Sequence, residues 1–277
     1  MIILLTGLPG MGKTTVLERF LEAYKNDCFW ILSKELRNPL GERVGFEAVT
    51  SDGQSGVFAH KEAIRSDDII GSYHVDLTVV DKMFTESILR EIRTPQGLFV
   101  LDEIGRMEML SKNFVAAIDR LFETDQPVLA TIRHGDEWAE KYKTHQKAVV
   151  FEITEKNREE LPETFMQIFT CQKQVALLTT PQQDAWLDMM KKYARDSRFI
   201  EVKKLCDNAL RYLSQSRIKS LSDGLWEVEG DHRTHQVHSS PNTSSYACDC
   251  DLFLGKGVYA GYRGECSHIQ AVVLSQA

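Results

Sequence analysis

The chain has 277 residues, of which 43% are hydrophobic and 26% are charged. This composition is typical of one large or two smaller globular domains, and a formal net charge of −7 argues against a general affinity for polyanions. No apolar run approaches the length of a membrane-spanning helix, and the first one is too short for a signal peptide. We therefore expect a cytoplasmic protein whose cysteines are reduced.

The first predicted elements surround a glycine-rich loop. The apolar run "MIILLT" predicts a buried strand, and "TGLPGMGKTT" follows it. Within that stretch Gly7-x-x-x-x-Gly12-Lys13-Thr14 fits the Walker A pattern, whose backbone N–H groups cradle phosphates. Apolar residues then recur at helical spacing, which predicts a helix from about Lys13. A strand, a glycine loop and a helix aim the N–H groups of the helix N-terminus at an anion.

The loop residues are candidate nucleotide ligands. They are Gly7, Leu8, Pro9, Gly10, Met11, Gly12, Lys13, Thr14 and Thr15. We expect the Lys13 ammonium to reach the β- and γ-phosphates and the Thr14 hydroxyl to ligate Mg²⁺. The plain alternative is a glycine turn that only joins a strand to a helix.

Strand and helix patterns alternate through the next part of the chain. Apolar runs predict strands at 29–33, 97–101, 127–132 and 148–153, and helical patterns occupy 81–93, 113–123, 136–143 and 156–169. This order predicts an α/β fold, with a mainly parallel sheet and helices on both faces. The segment "RVGFEAVTSDGQSGVFA" has two extended runs around "SDGQ" and predicts an antiparallel hairpin.

The strand in "GLFVLDEIG" ends in two acidic residues. Four apolar residues predict that the strand is buried, so that it delivers Asp102 and Glu103 to the carboxyl edge of the sheet, where ligands bind in open α/β folds. Asp102 is a candidate Mg²⁺ ligand opposite Thr14, and Glu103 is a candidate general base for the attacking water. The alternative is a solvated acidic pair that closes a strand.

Residues 1 to about 172 resemble the thermophile-type nucleoside-triphosphatase family, which includes the cancer-related nucleoside-triphosphatase of animals. The segments that match are "GLPGMGKTT", "ELRN", "RVGF", "GSYHVDL", "LDEIGRMEML", "ATI" and "TEKNREEL". The resemblance implies a RecA-type P-loop fold and the Mg²⁺-dependent hydrolysis of ATP, GTP and other nucleoside triphosphates to the diphosphate and phosphate.

The chain departs from that family at three positions. Arg106 stands where lysine is usual, Lys156 replaces an acidic residue, and Arg133 occupies a position where proline is frequent. Arg106 and Arg133 are candidates to stabilise charge on the transferring phosphoryl group, and surface ion pairs are the alternative for each. The sequence contains no N-K-x-D guanine reader, so we expect loose base selectivity.

The end of the chain predicts a second module. "TTPQQD" suggests a domain boundary near 175–182, which gives an NTPase domain at 1–178, a linker or helix at 179–199 and a small domain at 200–277.

Cys248-x-Cys250 and Cys266-x-His268 are separated by fifteen residues. Three thiolates and an imidazole complete a closed, structural zinc site, with Cys248 and Cys250 two apart in a strand and His268 in the first turn of a helix.

The spacing of these ligands resembles that of the SWIM zinc finger. The resemblance implies a β-β-α layout over about 200–275. The resemblance implies a module that binds DNA or protein partners. We interpret His232, His235 and His238 as exposed residues outside the ligand set. From Arg198 onward Lys and Arg number 9, and so do Asp and Glu, which favours a protein partner over DNA.

Three functions remain open at this point. The first is a Mg²⁺-dependent NTPase core with a zinc-binding recognition module. The second is a kinase, in which an acceptor held near Arg37 and Arg43 replaces water. The third is a binding protein whose nucleotide acts as a switch with negligible turnover.

Overall fold

A computed structural model describes residues 1–194, 199–239, 246–254 and 266–277. The chain divides into two compact units, Met1–Glu163 and Thr164–Ala277. The domain limits that the sequence suggests, near 175–182, stay a prediction.

The first unit is built around a nine-stranded sheet in the order β5-β6-β4-β3-β2-β7-β8-β1-β9. Its strands are β1 (Ile2–Thr6), β2 (Cys28–Arg37), β3 (Arg43–Thr50), β4 (Ser55–His60), β5 (Ile69–Ile70), β6 (Tyr73–Val75), β7 (Leu98–Ile104), β8 (Val128–Ile132) and β9 (Ala148–Glu152). Strands β2, β7, β8, β1 and β9 are parallel neighbours. The predicted α/β class with a mainly parallel sheet is confirmed.

The helices of this unit follow the predicted alternation. They are α1 (Lys13–Ala23), α2 (Leu77–Val80), α3 (Glu86–Arg93), α4 (Lys112–Glu123) and α5 (Glu137–Lys143), with a π-helical turn at Asp81–Thr85 and a 3₁₀ turn at Glu108–Leu110. Ile2 and Leu4 share a core cluster with residues of α3, α4 and α5. The buried residues of α1 lie outside that cluster, as expected when successive strand residues face opposite sides of the sheet.

The antiparallel part of the sheet extends it beyond β2. Strands β3 and β4 form the predicted hairpin, and a second, unpredicted hairpin of β5 and β6 pairs with β4. Phe58 on β4 packs edge-on against Phe84, with ring centroids 5.3 Å apart. This contact ties the extension to the core and fixes its position beside the carboxyl edge of the parallel strands.

The second unit combines helices with a small sheet. Its helices are α6 (Leu161–Val175, which begins just before the unit), α7 (Thr180–Tyr193), α8 (Phe199–Ser214), α9 (Asp251–Leu254) and α10 (Ser267–Gln276). Among its described residues, β10 (Ile218–Ser222), β11 (Leu225–Glu229), β12 (Thr234–Ser239) and β13 (Tyr246–Cys248) form an antiparallel sheet in chain order. The segments "LWEVEG" and "THQVHS" contain β11 and β12, which agrees with the two strands of the β-β-α layout that the sequence predicts.

Helix α6 begins later than the 156–169 pattern predicts. The Asn157 side chain accepts a hydrogen bond from the Thr154 N–H at 2.7 Å, and such local bonds compete with helix formation. The helix starts only at Leu161, with Pro162 in its first turn, where a missing N–H costs little. Every helix among the described residues is too short or too polar to cross a bilayer.

Candidate functional site

The loop between β1 and α1 has the backbone of a phosphate cradle. Gly12 caps α1 with φ 93°, a left-handed conformation that favours glycine. Gly7 approaches Ile153 so closely that a Cβ would lie 2.5 Å from Ile153 Cγ2. The Lys13 ammonium donates to the Gly7 carbonyl at 3.1 Å, so that its charge lies over the loop. Leu8, Pro9, Gly10 and Thr15 are exposed, and Met11, Gly12, Lys13 and Thr14 are partly buried.

Asp102 is the buried centre of the site. Its side chain is buried at the end of β7, where Thr14 Oγ1 donates to Asp102 Oδ2 at 2.6 Å. Thr131 Oγ1 donates to the other carboxylate oxygen, and Ser33 Oγ donates to the Asp102 carbonyl at 2.7 Å. Burial raises the pKa of Asp102, while the two threonine hydrogen bonds oppose that rise.

Strand order explains why Thr131 takes part. Strand β8 lies between β1 and β7, and Ala130 pairs with both Leu4 and Leu101. The next residue of β8 is Thr131, which is fully buried. Sequence analysis missed it, although a lone hydroxyl near the carboxyl end of an otherwise apolar strand was a usable signal.

Glu103 follows Asp102 in the same strand and lines the same cavity. Burial raises its pKa, the nearby Asp102 carboxyl adds to the rise, and Lys13 and Arg133 oppose it. Glu108, which sequence analysis also missed, is a third, buried carboxyl. Burial raises the pKa of Glu108 well above its usual value, and Glu103 contributes to that shift.

The two candidate arginines share one partner. Arg106 Nε donates to Asp136 Oδ2 at 2.6 Å, and the Arg106 side chain is 52% exposed. Arg133 Nε lies 3.8 Å from Asp136 Oδ2, and this nitrogen is buried without a hydrogen-bond partner among the described residues. Arg106 therefore makes a short ion pair with Asp136, whereas Arg133 lies near the same carboxylate without a hydrogen bond from its Nε.

The charged groups and the Thr14 hydroxyl line one cavity of about 770 Å³, and they are Lys13, Thr14, Asp102, Glu103, Arg106, Glu108 and Arg133. The fold and the site together define a P-loop protein of the class that binds and hydrolyses nucleoside triphosphates. Thr14 and Asp102 offer hydroxyl and carboxylate oxygens, which are the ligands that Mg²⁺ prefers, and the loop offers N–H groups to phosphates. The donor set therefore fits a magnesium–nucleotide complex.

Comparisons with known proteins agree with this class. A family model described as NTPase matches residues 2–166, and the chain belongs to that family. It is similar to nucleoside-triphosphatase THEP1 of Thermotoga sp. (strain RQ2), with 35% identity over 58% of this chain and 91% of that protein. Nucleoside-triphosphatase THEP1 of Methanocaldococcus jannaschii is 32% identical over 60% of this chain and 95% of its own length. The crystal structure of THEP1 from Aquifex aeolicus superposes with a TM-score of 0.54 and 27% identity, over 61% of this chain and 99% of that one.

The second unit contains a cluster of metal-ligand residues. Cys248, Cys250, Cys266 and His268 are all buried, and their ligand atoms lie within 4.8 Å of one another. Cys248 ends β13, and Cys250 lies beyond that strand rather than in it as the sequence predicts. The chain turns there, which brings both thiols together. His268 is the second residue of α10, as expected.

The position of His235 contradicts the prediction that this residue is exposed. Its ring is buried and stacks on His268 with centroids 4.1 Å apart, and Asp249 Oδ1 lies 3.0 Å from His235 Nδ1. Side chains alternate between the two faces of β12, so that His235 and Val237 lie on the buried face and His238 lies on the exposed one. His232 is exposed, as predicted. Tyr212 also stacks on His268, at 5.5 Å, so two rings hold the orientation of the His268 imidazole.

The cluster of three cysteines and one histidine offers the donors of a structural zinc site. Hydrogen bonds from the Cys248 and Cys266 thiols lower the pKa of Cys250, and three sulfurs with one imidazole suit tetrahedral zinc. The family match ends at residue 166, so the SWIM resemblance stays a prediction. Residues 255–265, between Cys250 and Cys266, lie outside the described part of the chain.

Proposed function

We propose that the protein is a Mg²⁺-dependent nucleoside-triphosphatase that hydrolyses ATP, GTP and other nucleoside triphosphates to the diphosphate and phosphate. The observation that carries this proposal is the hydrogen bond from Thr14 to Asp102 at 2.6 Å, with Glu103 in the same cavity. It brings a Walker A hydroxyl and a strand-end carboxylate to one point, beside a candidate base. Membership of the NTPase family supports the same conclusion.

The residues have separate roles in this reaction. The loop N–H groups and the Lys13 ammonium bind the phosphates, and Thr14 and Asp102 would hold Mg²⁺, which neutralises charge on the β- and γ-phosphates when bound. Thr131 fixes the Asp102 carboxylate. This arrangement holds the triphosphate with its γ-phosphorus close to Glu103.

Glu103 takes a proton from water in the chemical step. The water oxygen forms a bond to the γ-phosphorus, the bond from that phosphorus to the β–γ bridging oxygen breaks, and the diphosphate leaves. A pKa raised by burial makes Glu103 a stronger base than a solvated carboxylate, because general bases work best when their pKa approaches the working pH. Arg133, which lines the cavity and lowers the pKa of Glu103 by its charge, is the better placed of the two arginines to stabilise charge on the transferring group, and Arg106 is the second candidate.

Turnover of ATP, GTP, CTP and UTP by Glu103→Gln tests the proposal. We expect Mg²⁺-dependent release of phosphate from all four by the wild type, and a fall of about 100-fold or more in the variant. Glu22→Gln, an exposed glutamate on α1, is the matched control and should hydrolyse at the wild-type rate. Normal turnover by Glu103→Gln would contradict the assignment of the base.

We further propose that the second unit is a zinc-binding recognition module, with Cys248, Cys250, Cys266 and His268 as structural ligands. Closed sites of this type stabilise a fold. The equal numbers of basic and acidic residues from Arg198 onward support a protein partner rather than DNA. A reducing compartment such as the cytoplasm suits free thiols.

A further inference from the structure

A second group of metal-ligand residues lies beside the first one in the second unit. His235, Cys248 and Asp249 offer a nitrogen, a sulfur and a carboxylate oxygen, and these atoms all lie within 4.8 Å of one another. The Cys248 thiol belongs to both groups, since it is also one of the four proposed zinc ligands. The proposed zinc site uses neither His235 nor Asp249, so the donor atoms of both residues are available for another ion.

The imidazoles of His235 and His268 present corresponding edges to the same part of the chain. His268 Nδ1 lies 3.7 Å from Cys248 Sγ, and His235 Nδ1 lies 3.0 Å from Asp249 Oδ1. The opposite edges of both rings lie against Gly230, where an added Cβ would be 3.0 Å from His235 Cδ2 and 3.2 Å from His268 Nε2. In both rings, therefore, Nδ1 is the nitrogen directed at the donors of residues 248 and 249.

The spacing of the two rings suits a pair of metal ions. The ring centroids of His235 and His268 are 4.1 Å apart, and the ring planes differ by 29°. A neutral imidazole binds a metal ion through a nitrogen lone pair in the plane of the ring, so stacked rings hold their ions at about the separation of the rings. Ions in two-metal sites are typically about 3.5–4 Å apart. A thiolate that lies between two such ions, here that of Cys248, can bind both.

The charges of the ligands also favour a second cation. Cysteine binds metal as the thiolate, so three thiolates around one zinc ion leave one negative charge in excess. The Asp249 carboxylate adds another, and two divalent cations would neutralise the combined set. The Asp249 side chain is 49% exposed, whereas the four proposed zinc ligands are buried. The second position is therefore accessible to an ion from solvent.

We propose that His235, Cys248 and Asp249 bind a second divalent cation such as Zn²⁺ or Co²⁺, which the Cys248 thiolate bridges to the structural zinc. This inference rests on the proposed zinc site, because the two sites share that sulfur. A set of nitrogen, sulfur and carboxylate donors suits zinc and cobalt better than magnesium or calcium. With three protein ligands, the second site keeps one tetrahedral position for water or another ligand. It therefore binds metal more weakly than the closed site and fills only when metal is in excess.

Cobalt can report on the second site in the full chain. Co²⁺ is titrated into protein that contains one zinc, and bound zinc and cobalt are both measured by equilibrium dialysis. Zinc should stay in place, because it binds such donors more tightly than cobalt does. We expect one further equivalent of cobalt per chain, together with the near-ultraviolet charge-transfer band of a thiolate bound to cobalt.

The other outcomes of this titration separate the two sites. Retained zinc without bound cobalt, or cobalt bound without the thiolate band, would overturn the inference and leave the structural zinc site standing. Cobalt that only replaces zinc one for one would also overturn it. A chain that binds no zinc would contradict the structural site and the inference with it.

Asp249→Asn tests the ligand that belongs to the second group alone. Asparagine keeps a side-chain oxygen for the Gln236 N–H, which donates to Asp249 Oδ1 at 3.1 Å, so the local fold should persist. Cobalt binding should weaken about tenfold or more, because even groups around a metal ligand are typically worth 10- to 100-fold in affinity. Asp223→Asn, at an exposed position, is the control and should bind cobalt like the wild type. Equal cobalt affinity in Asp249→Asn and the wild type would contradict the inference.

His235→Ala and His238→Ala give a second comparison, within one strand. His235 lies on the buried face of β12 and His238 on the exposed one. His235→Ala should lose the thiolate-to-cobalt band, and His238→Ala should retain it. The zinc content of each variant is measured as well, so that loss of the structural zinc is distinguished from loss of the second ion. A band of wild-type intensity in His235→Ala would contradict the role of His235 as a ligand.

Discussion

Thr14 and Asp102 are 88 positions apart in the chain, and the Thr14 hydroxyl donates to the Asp102 carboxylate at 2.6 Å. One residue belongs to the start of α1 and the other to the end of β7. The parallel sheet makes the contact possible, because it aligns the carboxyl ends of its strands at a single edge. The sheet thereby holds two candidate oxygen ligands for Mg²⁺ side by side.

Lys13→Ala should abolish turnover or nucleotide binding. The Lys13 ammonium is held over the loop by the Gly7 carbonyl, and phosphate charge in this position is only partly balanced by backbone N–H groups. The affinity for each nucleoside triphosphate and its rate of hydrolysis are measured. Lys25→Ala is the control, because Lys25 follows the C-terminal end of α1 and its ammonium donates to the Glu22 carbonyl. Unchanged affinity and rate in Lys13→Ala would end the Walker A assignment.

Asp102→Asn should raise the Mg²⁺ concentration required for half-maximal activity. The buried carboxylate loses its charge, and an amide is a weaker ligand for a hard cation. Thr131→Val preserves the shape of the side chain and removes only the hydroxyl that bonds Asp102, so its effect should be smaller and in the same direction. A Mg²⁺ dependence identical to the wild type in Asp102→Asn would contradict its role as a ligand.

Glu108→Gln should change the pH dependence of stability. Burial raises the pKa of Glu108 well above 4.5 in the folded chain, so folding favours the protonated carboxyl. This contribution is complete below the pKa of the unfolded chain and is lost as pH rises through the folded pKa. The Tm of the variant relative to the wild type should therefore increase as pH rises above the unfolded pKa of 4.5.

The matched substitution for this pH series is Glu22→Gln, at an exposed position on α1. Its Tm difference from the wild type should stay level across the same pH range. A level difference for Glu108→Gln as well would show that Glu108 is ionised in the folded chain at every pH tested.

Local patterns predicted the phosphate loop and the parallel strands. Both depend on nearby residues, as in the glycines before α1 and the apolar run before Asp102. Thr131 was missed because its importance depends on strand order, which brings distant segments of the chain together. His235 was assigned to the wrong environment for the same reason: only the pairing of β12 with β13 brings it to Asp249.

Metal analysis should find one zinc per chain, which the double variant Cys248→Ser/Cys250→Ser should lose. Cys28→Ser, outside the cluster, should retain it. Wild-type protein without zinc would contradict the site. Small zinc modules often fold only with metal bound, so chelation should unfold the second unit while hydrolysis by the first unit continues.

His235→Ala should speed the release of zinc to a competing chelator, while His238→Ala should not. The two residues are on the same strand, but only His235 is buried against His268. Groups around a metal ligand fix its orientation, and their removal typically costs 10- to 100-fold in affinity. Equal release rates for the two variants would show that stacking by His235 does not position the ligand.

DNA should bind the full chain weakly and without a steep dependence on salt. Counterion release from phosphates requires clustered Lys and Arg, and from Arg198 onward the 9 basic residues are matched by 9 acidic ones. Among the described residues, Arg211 and Arg217 are both paired with Asp231, which lowers the pKa of that carboxyl to about 2. The single Asp231 carboxylate therefore already offsets part of the positive charge of these two arginines within the module. Titration of the zinc-loaded protein with single- and double-stranded DNA at physiological salt should therefore be flat. Sub-micromolar binding that collapses as salt is raised would reverse the preference for a protein partner.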